Sequence, residues 1–144
     1  MTTVRSILQT KGSEIWSTTP DTLVFDALKI MAEKNVGALV VLDGERLAGV
    51  FSERDYARKV ALKGESSHSI TVRDIMTTDI ISVRPEQSME ECMGLMTTNH
   101  IRHLPVIDNN KLVGLISIGD VVKAIISQHE STIQHLENYI TGAR

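Results

Sequence analysis

The same sequence pattern occurs twice in this chain, at a fixed offset of 65 residues. Residues 15–55 align with residues 80–120 without a gap, and 11 of the 41 aligned positions are identical. Average residue usage would give roughly 2 or 3 identities, so the chain contains an internal duplication. The identical pairs are Ile15/Ile80, Ser17/Ser82, Pro20/Pro85, Met31/Met96, Leu39/Leu104, Val41/Val106, Asp43/Asp108, Leu47/Leu112, Gly49/Gly114, Ser52/Ser117 and Asp55/Asp120.

A shorter lead-in also occurs twice, because residues 3–7 resemble residues 71–75 at an offset of 68. Two copies are too few for a solenoid, which needs three or more units to bury a continuous core. We therefore expect a closed pair in which each copy covers the apolar face of the other. Such a pair has a pseudo-twofold axis, and the cleft along that axis is the first place to look for a ligand.

The composition indicates a compact globular protein with an aliphatic core. A chain of 144 residues is long enough to bury a substantial core. Its hydrophobic content is 42% but its aromatic content is only 3%, so Val, Ile, Leu and Met must fill the interior. A net charge of −3 argues against broad non-specific binding of nucleic acid, which needs an excess of Lys and Arg.

The cysteine content and the hydropathy of the chain indicate the cellular compartment in which we expect the protein. The single cysteine, Cys92, cannot form an internal disulfide, which fits a reducing environment. The N-terminus lacks the apolar segment of a signal peptide, and the longest apolar run, residues 38–42, is too short to span a bilayer. We expect a cytoplasmic protein, and the initiating Met together with the distinct tail favours an intact chain.

Each copy has the pattern strand, helix, strand, strand, helix, with the apolar run of the second strand typical of burial on both faces. The predicted elements of copy one are a strand at 15–17, a helix at 22–34, strands at 38–42 and 47–51 joined by a hairpin turn at Asp43-Gly44, and a helix at 53–62. Those of copy two are a strand at 80–83, a helix at 88–99, strands at 104–107 and 112–116 joined by a turn at Asp108-Asn109-Asn110, and a helix from 118. The predicted boundaries are 1–62 for repeat 1, 63–70 for the linker, 71–127 for repeat 2 and 128–144 for a helical tail.

The tail has no counterpart in copy one. Its apolar residues Ile126, Ile133, Leu136 and Ile140 follow a spacing of seven, three and four, which places them on one side of a helix. Two interpretations stay open: the tail packs on its own domain, or it contacts the second chain of a dimer. Two to three heptads are too few for an independent coiled coil.

The segment that closes each copy is a strand followed by Ser, then Asp three residues later, at the start of a helix. Copy one has Ser52 and Asp55, and copy two has Ser117 and Asp120. Free N–H groups at a helix start attract phosphate oxygens, and a carboxylate can accept two hydrogen bonds from a vicinal diol. The same Ser-x-x-Asp pattern is also close to a capping box, in which the side chains satisfy only their own helix.

The order of these features resembles the cystathionine-β-synthase (CBS) domain, twice over. The resemblance rests on a Pro, a helix ending in Met, a buried strand, an Asp turn and Gly-h-h-Ser-x-x-Asp, where h is apolar. The segments VRDIM at 72–76 and IRHLPVID at 101–108 are similar to the family as well. The resemblance covers residues 4–127. It implies an α/β (α+β) fold of two β-α-β-β-α repeats related by a pseudo-twofold axis, as in a tandem CBS pair or Bateman module.

The resemblance also implies a ligand that contains adenine: AMP, ADP, ATP, NAD or S-adenosylmethionine, with AMP and NAD favoured. In the family, the motif Asp holds the ribose hydroxyls and the Ser contacts ribose or phosphate. The base slot then falls on Ser13, Ile15, Val36, Gly37 and Ala38 in copy one, and on Thr78, Ile80, Ile101, Arg102 and His103 in copy two. Some members share pockets, which would pair Asp55 with Thr78, Ile80 and Ile101, and Asp120 with Ser13, Ile15 and Val36.

Basic residues near the motifs differ between the copies. Arg54 precedes Asp55, whereas Gly119 takes the corresponding place before Asp120. Arg102 and His103 open the second strand of copy two, where copy one has Gly37 and Ala38. Arg suits multidentate phosphate binding, so we expect phosphate contacts and unequal sites.

The sequence shows neither a P-loop nor a GxGxxG motif, and it supplies no clear third metal ligand beside His100 and His103. We expect a non-catalytic sensor that binds an adenine nucleotide, forms a homodimer and acts on a partner protein or through its oligomeric state. The alternative is a scaffold protein in which the motifs are only caps and the pockets are vestigial. Neither a membrane nor a nucleic acid is an expected partner.

Overall fold

The computed structural model describes residues 2–12 and 14–141 as two compact units. The first unit comprises residues 14–81, and the second comprises residues 2–12 together with 82–141. The units do not follow the two sequence copies, because each contains the lead-in of the other copy. The lead-in of copy one, here residues 2–12, belongs to the second unit, and the lead-in of copy two, residues 71–79, belongs to the first. Among the described residues, no helix is both long enough and apolar enough to cross a bilayer.

The first unit contains one sheet and three helices. Its elements are β1 Ser17–Thr18, α2 Val24–Lys34, β2 Ala38–Asp43, β3 Arg46–Ser52, α3 Glu53–Tyr56, a π-helical segment Ala57–Ala61, and α4 Val72–Ile75. The second unit contains α1 Val4–Lys11, α5 Met89–Asn99, β4 His103–Asp108, β5 Lys111–Ser117 and α6 Ile118–Thr141. The predicted α/β class and the two repeats of small sheets with helices are confirmed.

The two sheets differ at their first strand. In the first unit, β1 runs parallel to β2, and β2 forms an antiparallel hairpin with β3. In the second unit, β4 and β5 form the same hairpin, but only a single parallel bridge joins Val83 to Val106. The predicted strand over 80–83 is therefore reduced to one bridge.

Pro105 explains the shortened strand. It occupies the place of Val40, whose N–H donates to the carbonyl of Trp16 at 3.3 Å in the first unit. A proline has no N–H, so the corresponding ladder bond in the second unit cannot form. The remaining contacts run from the N–H of Val83 to Pro105 and from the N–H of Ile107 to Val83.

Left-handed residues close both predicted hairpins. Gly44 has φ 66°, and in the second unit Asn109 and Asn110 have φ 50° and 63°. Glycine and asparagine are the residues that adopt this region at least cost. The turn that follows Asp43 and the turn that follows Asp108 are therefore confirmed.

Two predicted helices differ from the structure. The helix predicted over 53–62 is α-helical only to Tyr56 and continues as the π-helical segment, in which Val60 is fully buried. The predicted tail is no separate element, because it continues the last helix of copy two as α6, which runs for 24 residues. Residues 120–140 contain neither Gly nor Pro, so nothing in that stretch ends the helix.

Each lead-in helix packs into the unit built mainly from the other copy. The N–H of Val4 donates to the carbonyl of Gln87 at 2.8 Å, and the equivalent N–H of Val72 donates to Thr22 at 2.9 Å. Val4 and Val72 are completely buried. The two units therefore repeat the same attachment, with the lead-in helices exchanged.

A glycine in each hairpin accommodates the lead-in. A Cβ atom on Gly49 would lie 2.8 Å from the carbonyl oxygen of Thr77 and 2.9 Å from the sulfur of Met76. A Cβ atom on Gly114 would lie 2.7 Å from a methyl carbon of Leu8. Gly49 and Gly114 are identical in the two copies because a lead-in crosses each of them closely.

The interiors of both units are aliphatic, as the composition predicts. The core of the first unit comprises Val24, Ala27, Met31, Leu39, Val41, Ala48, Phe51, Val60, Val72 and Ile75. The buried hydrophobic residues of the second unit include Val4, Ile7, Val83, Met89, Cys92, Met96, Leu104, Val106, Ile116 and Val121. In β2, Ala38 to Val41 are all buried, which confirms a strand covered on both faces.

Replacing either hairpin glycine by alanine should destabilise the protein. For Gly49→Ala we expect a loss of about 1–3 kcal/mol in the free energy of unfolding, because a backbone carbonyl cannot move away cheaply. Gly114→Ala should lower the free energy of unfolding by less, since the end of the Leu8 side chain can rotate away. Urea unfolding of the two variants measures both losses.

Gly94→Ala is the matched control. Gly94 lies within α5, and its added Cβ would meet nothing within 4 Å. Removing a helix-interior glycine there should stabilise by roughly 0.5–1 kcal/mol. Equal unfolding free energies for Gly49→Ala and Gly94→Ala would contradict the close approach of the lead-in.

Candidate functional site

The Ser-Asp motif of the first unit forms a complete capping box at the junction of β3 and α3. The N–H of Asp55 donates to Ser52 Oγ at 3.1 Å, and the N–H of Ser52 donates to Asp55 Oδ2 at 3.0 Å. Ser52 Oγ also lies 3.1 Å from Asp55 Oδ2. The side chains of Ser52 and Asp55 thus form the capping box that the Ser-x-x-Asp pattern indicates.

The second carboxylate oxygen of Asp55 faces a different set of groups. Thr77 Oγ1 donates to Oδ1 at 3.2 Å, and Lys59 Nζ lies 3.2 Å from the same oxygen. Lys59 also donates to the carbonyl of Ile75 at 2.9 Å. The Asp55 side chain is only 12% exposed. The carboxylate thus joins the hairpin, the π-helical segment and the lead-in of the first unit.

The motif of the second unit has the same reciprocal bonds. The N–H of Ser117 donates to Asp120 Oδ2 at 2.8 Å, and the N–H of Asp120 donates to Ser117 Oγ at 3.2 Å. Lys11 Nζ lies 2.7 Å from Asp120 Oδ2 and donates to the carbonyl of Leu115 at 2.8 Å. Here the lysine comes from the lead-in helix α1.

These contacts shift the titration of Asp120. Burial by itself raises the pKa of the carboxyl, but the hydrogen bond from Lys11, the N–H of Ser117 and the charge of Lys11 together outweigh it. The pKa of Asp120 is consequently lowered from its ordinary value. Asp120 therefore carries a negative charge at neutral pH, as an acceptor for hydroxyl groups requires.

The two lysines are site residues that sequence reasoning missed. Lys59 follows Asp55 by four residues, a spacing at which helical side chains of opposite charge meet, so the sequence contained a signal for this pair. Lys11 is 109 residues from Asp120, and only the exchange of lead-ins brings them together. Copy two has Ala124 in the place of Lys59, so the two motifs receive their lysine from different elements.

The first unit contains most of the base-slot residues predicted for copy one. Ile15, Val36, Gly37 and Ala38 belong to the same unit as Asp55, and the carbonyl of Gly37 accepts the N–H of Glu53 at 3.0 Å. The segment 36–38 is thereby attached to the first residue of the motif helix. Ser13 lies outside the described residues.

The predicted partners of Asp55 fall into both units. Thr78 and Ile80 lie in the same unit as Asp55, next to Thr77, which donates to that carboxylate. Ile101 belongs to the second unit. Arg54 lies in the first turn of α3, one residue before Asp55. The pairing across the copies stays a prediction.

In the second unit, the residues predicted from copy two lie around the start of α6. The carbonyl of Arg102 accepts the N–H of Ile118 at 2.8 Å, and His103 pairs with Ser117 in the hairpin. Gly119 is in the first turn of α6, and an added Cβ there would lie 3.5 Å from Ser117 Oγ. Arg102 is thus attached, through its backbone, two residues before Asp120.

The remaining candidates from the sequence are the possible metal ligands His100 and His103 and the single cysteine, Cys92. Within residues 2–12 and 14–141, no three His, Cys, Asp or Glu side chains are placed to hold a metal ion. Cys92 is buried in α5. Burial, with the charges of Glu91 and Glu90, raises the pKa of its thiol to about 11, so it is protonated at neutral pH and a poor nucleophile.

A CBS domain model matches residues 4–62 and 72–127 of this chain, which therefore belongs to the CBS domain family as a tandem pair, or Bateman module. The chain is 46% identical over 151 residues to the mitochondrial CBS domain-containing protein CBSX3 of Arabidopsis thaliana. That match covers 98% of this chain and 73% of the relative.

Solved structures show the same fold. A protein with CBS domains from Burkholderia ambifaria MC40-6 is 52% identical, with a TM-score of 0.85 over 88% of this chain and 95% of that chain. The CBS domain pair of protein MJ0100, crystallised with 5′-methylthioadenosine and S-adenosyl-L-methionine, is 22% identical. Its TM-score is 0.75 over 86% of this chain and 99% of that chain, a likeness of fold.

Removing the Lys11 ammonium should raise the pKa of Asp120. We expect Lys11→Met to raise it because the burial that opposes ionisation remains while the cation is lost. A lowered folded-state pKa stabilises the fold above the ordinary Asp value, and this stabilisation is lost as the pH falls through the folded pKa. At neutral pH, Lys11→Met should therefore have a lower free energy of unfolding than the wild type. This difference should shrink as the pH falls through the pKa of Asp120. NMR titration of the Asp120 carboxyl measures the shift directly.

Arg5→Met is the matched control. Arg5 is on the same helix, and its ion pair with Glu86 is more than half exposed on both sides. This variant should leave the pKa of Asp120 at its wild-type value. An unchanged pKa in Lys11→Met would show that the ion pair is not formed in solution.

Proposed function

We propose that this chain is a non-catalytic regulatory module that binds an adenosine-containing ligand through Asp55 and Asp120. The observation that carries the proposal is the repeated site: in each unit a largely buried carboxylate lies at a helix start with a lysine within 3.2 Å. Membership of the CBS family supports the ligand class, and the S-adenosyl ligand of the MJ0100 pair shares the adenosine group.

The geometry suggests how a nucleoside would bind. The vicinal hydroxyls of a ribose would donate to the motif carboxylate, which is already held in one orientation by its capping bonds. Thr77 in the first unit and Lys11 in the second already donate a hydrogen bond to one oxygen of that carboxylate. The ribose hydroxyls would therefore compete with them. A displaced lysine ammonium would then lie beside the sugar, where a phosphate or other anionic group could accept its bonds.

The base slot would be formed by backbone near the motif helices. In the first unit, segment 36–38 is attached to the start of α3, and in the second unit segment 101–103 is attached to the start of α6. Exposed backbone groups can recognise the edge of an adenine by hydrogen bonds. The shared pockets of the family remain part of this proposal, as does occupancy of one site or of both.

The second candidate function is a scaffold with vestigial pockets. It is favoured by one observation: the capping boxes already account for the Ser and Asp of both motifs. A module that only caps its helices would show no ligand-dependent stabilisation. A ligand at 100 times its Kd would instead stabilise the fold by about 2.7 kcal/mol, so thermal unfolding with AMP, ADP, ATP, NAD and S-adenosylmethionine separates the two functions.

As a regulatory module, the protein would report ligand occupancy to a partner protein or through its own oligomeric state, for which we propose a homodimer. An apolar surface supports this part of the proposal, because several large hydrophobic residues of α6 are exposed. A cytoplasmic location stays a prediction, since the name of the Arabidopsis relative assigns that protein to mitochondria.

Replacing the motif carboxylates should remove recognition of the ribose. Asp55→Asn and Asp120→Asn keep an acceptor oxygen for the cap but lose the charge, so AMP affinity at each site should fall by about 1.5–3 kcal/mol. In the wild type, AMP should bind more tightly than its 2′-deoxy form, and the double variant should bind both equally. Isothermal calorimetry measures all four affinities.

Asp74→Asn is the control for helix capping. At the start of α4, Asp74 Oδ2 accepts hydrogen bonds from the N–H and the hydroxyl of Thr71, as Asp55 Oδ2 does from Ser52, but Asp74 lies outside the motif. The Asp74→Asn variant should bind AMP with the affinity of the wild type. If the folded Asp55→Asn/Asp120→Asn double variant binds AMP and NAD as the wild type does, the ribose assignment is wrong.

Arg102 should distinguish phosphate from nucleoside. The residue is beside the start of α6 in the second unit, and the corresponding position in the first unit is Gly37. We expect Arg102→Ala to weaken AMP binding much more than adenosine binding, because only AMP carries the phosphate charge. Equal losses for AMP and adenosine would show that Arg102 does not contact phosphate.

A further inference from the structure

Helix α6 carries a regular row of five apolar residues and one histidine that we call the tail seam: Val122, Ile126, His129, Ile133, Leu136 and Ile140. All six residues are exposed. The five apolar members are 41%, 52%, 54%, 58% and 81% exposed, in chain order. Five apolar residues at regular spacing on one helix, with one histidine among them, are more than the scattered hydrophobic residues of an ordinary surface.

The helix uses another face for its own unit. Val121 is fully buried, Ala124 and Ile125 are half-buried, and the side chain of Gln128 accepts a hydrogen bond from Thr2 at 3.0 Å. At 100° per residue, the tail seam is centred about a quarter turn away from this packed face. The seam is therefore not part of the core of its own unit.

The spacing of the seam is that of a coiled coil. Successive members are four, three, four, three and four residues apart, which places Ile126, Ile133 and Ile140 at heptad positions a, and Val122, His129 and Leu136 at positions d. This spacing keeps a straight row of side chains facing one partner helix. The spacing thus indicates a helix with the same periodicity as the occupant of the seam.

We propose that the tail seam pairs antiparallel with the tail seam of a second copy of this chain. In an antiparallel pair, each a position packs against a d position of the partner. Ile126 then packs against the partner's Leu136, Val122 against the partner's Ile140, and Ile133 against the partner's His129. Every seam residue obtains a counterpart, with the twofold axis between residues 130 and 132.

The flanking residues favour this orientation. In an antiparallel pair, e positions face e positions and g positions face g positions. Lys123 then faces the partner's Glu137, which gives two opposite-charge pairs per dimer, and Ile125 faces the partner's Tyr139, which is 87% exposed in the single chain.

A parallel pair would lose these contacts. It would place Lys123 beside the partner's Ile118 and Glu137 beside the partner's Thr132, without a single charge pair. The antiparallel pair brings like charges together once, between Glu130 and the partner's Glu130 near the axis. The distribution of charge along α6 thus selects the antiparallel orientation.

The seam spans 19 residues, or about 28 Å of helix, which is too short for a stable coiled coil of free peptides. Here α6 is anchored at its first turns in a folded unit, so less chain entropy is lost on pairing. The inference specifies the homodimer within the proposed function, but the seam can pair without a ligand. The dimer mass of the ligand-free protein therefore tests it separately from nucleotide affinity.

A charge in the seam should break the dimer. Light scattering of the wild-type chain at micromolar concentration should give about twice the 15.9 kDa chain mass. Ile133→Asp should raise the dimer Kd more than about 100-fold, because it buries a carboxylate in place of an apolar side chain in two layers. Ser131→Asp, two residues away at an outward f position, is the matched control and should leave the Kd unchanged.

Charge reversal tests the orientation. Lys123→Glu and Glu137→Lys should each weaken the dimer by roughly 2- to 30-fold, since each creates two like-charge pairs. The double variant Lys123→Glu/Glu137→Lys should recover the wild-type Kd. A parallel pair predicts no recovery, because these residues do not meet in it.

Cysteine cross-linking gives an independent readout. Cys92 is buried, with its thiol pKa raised to about 11, so it does not interfere. Ile126→Cys/Leu136→Cys should form a covalent dimer under mild oxidation, whereas either single variant should stay uncross-linked. Cross-linking of the single variants would show a parallel pair and overturn the proposal. A monomer in the wild type, or a dimer unaffected by Ile133→Asp, would show that a second copy does not occupy the seam.

Discussion

The structure depends on the exchange of the lead-in segments between the two copies. Helix α4, from the lead-in of copy two, completes the core of the first unit through Val72 and Ile75, and α1 contributes Val4 and Ile7 to the second unit. Gly49 and Gly114 permit this contact because no side chain separates the hairpin from the lead-in. Neither copy therefore completes a core with its own residues alone.

The exchange also builds the candidate sites. Thr77 reaches Asp55 only because its lead-in belongs to the first unit, and Lys11 reaches Asp120 for the same reason. Each carboxylate therefore has two roles, since one set of bonds caps its helix and the other faces a residue from the exchanged segment. In Asp55 the two sets use different oxygens, so a ligand that takes Oδ1 leaves the cap in place. In Asp120 the N–H of Ser117 and the ammonium of Lys11 share Oδ2.

Local features were predictable from the sequence, and long-range ones were not. The Asp-Gly and Asn-Asn turns, the buried β2 strand and the Ser-Asp caps each depend on residues close together in the chain, and the structure confirms them. Pro105, whose missing N–H shortens the first strand of the second unit, could have been recognised as a ladder break. Lys11 could not be assigned to Asp120, because its placement follows from packing between segments that are more than a hundred residues apart.

Helix α6 connects the two proposals physically. It begins with the Ser117–Asp120 cap and continues without a break into the tail seam, so one continuous helix carries both the carboxylate and the dimer surface. The first unit has no counterpart, because its motif helix changes to a π-helical segment after Tyr56. If a ribose displaces Lys11 from Asp120, α6 loses one contact with α1 while keeping its cap. The attachment of α6 to the second unit is then weaker at the N-terminal end of the helix, where the ligand binds. Such a change in anchoring would alter the entropy cost of pairing the seam, and it requires no change in the seam itself.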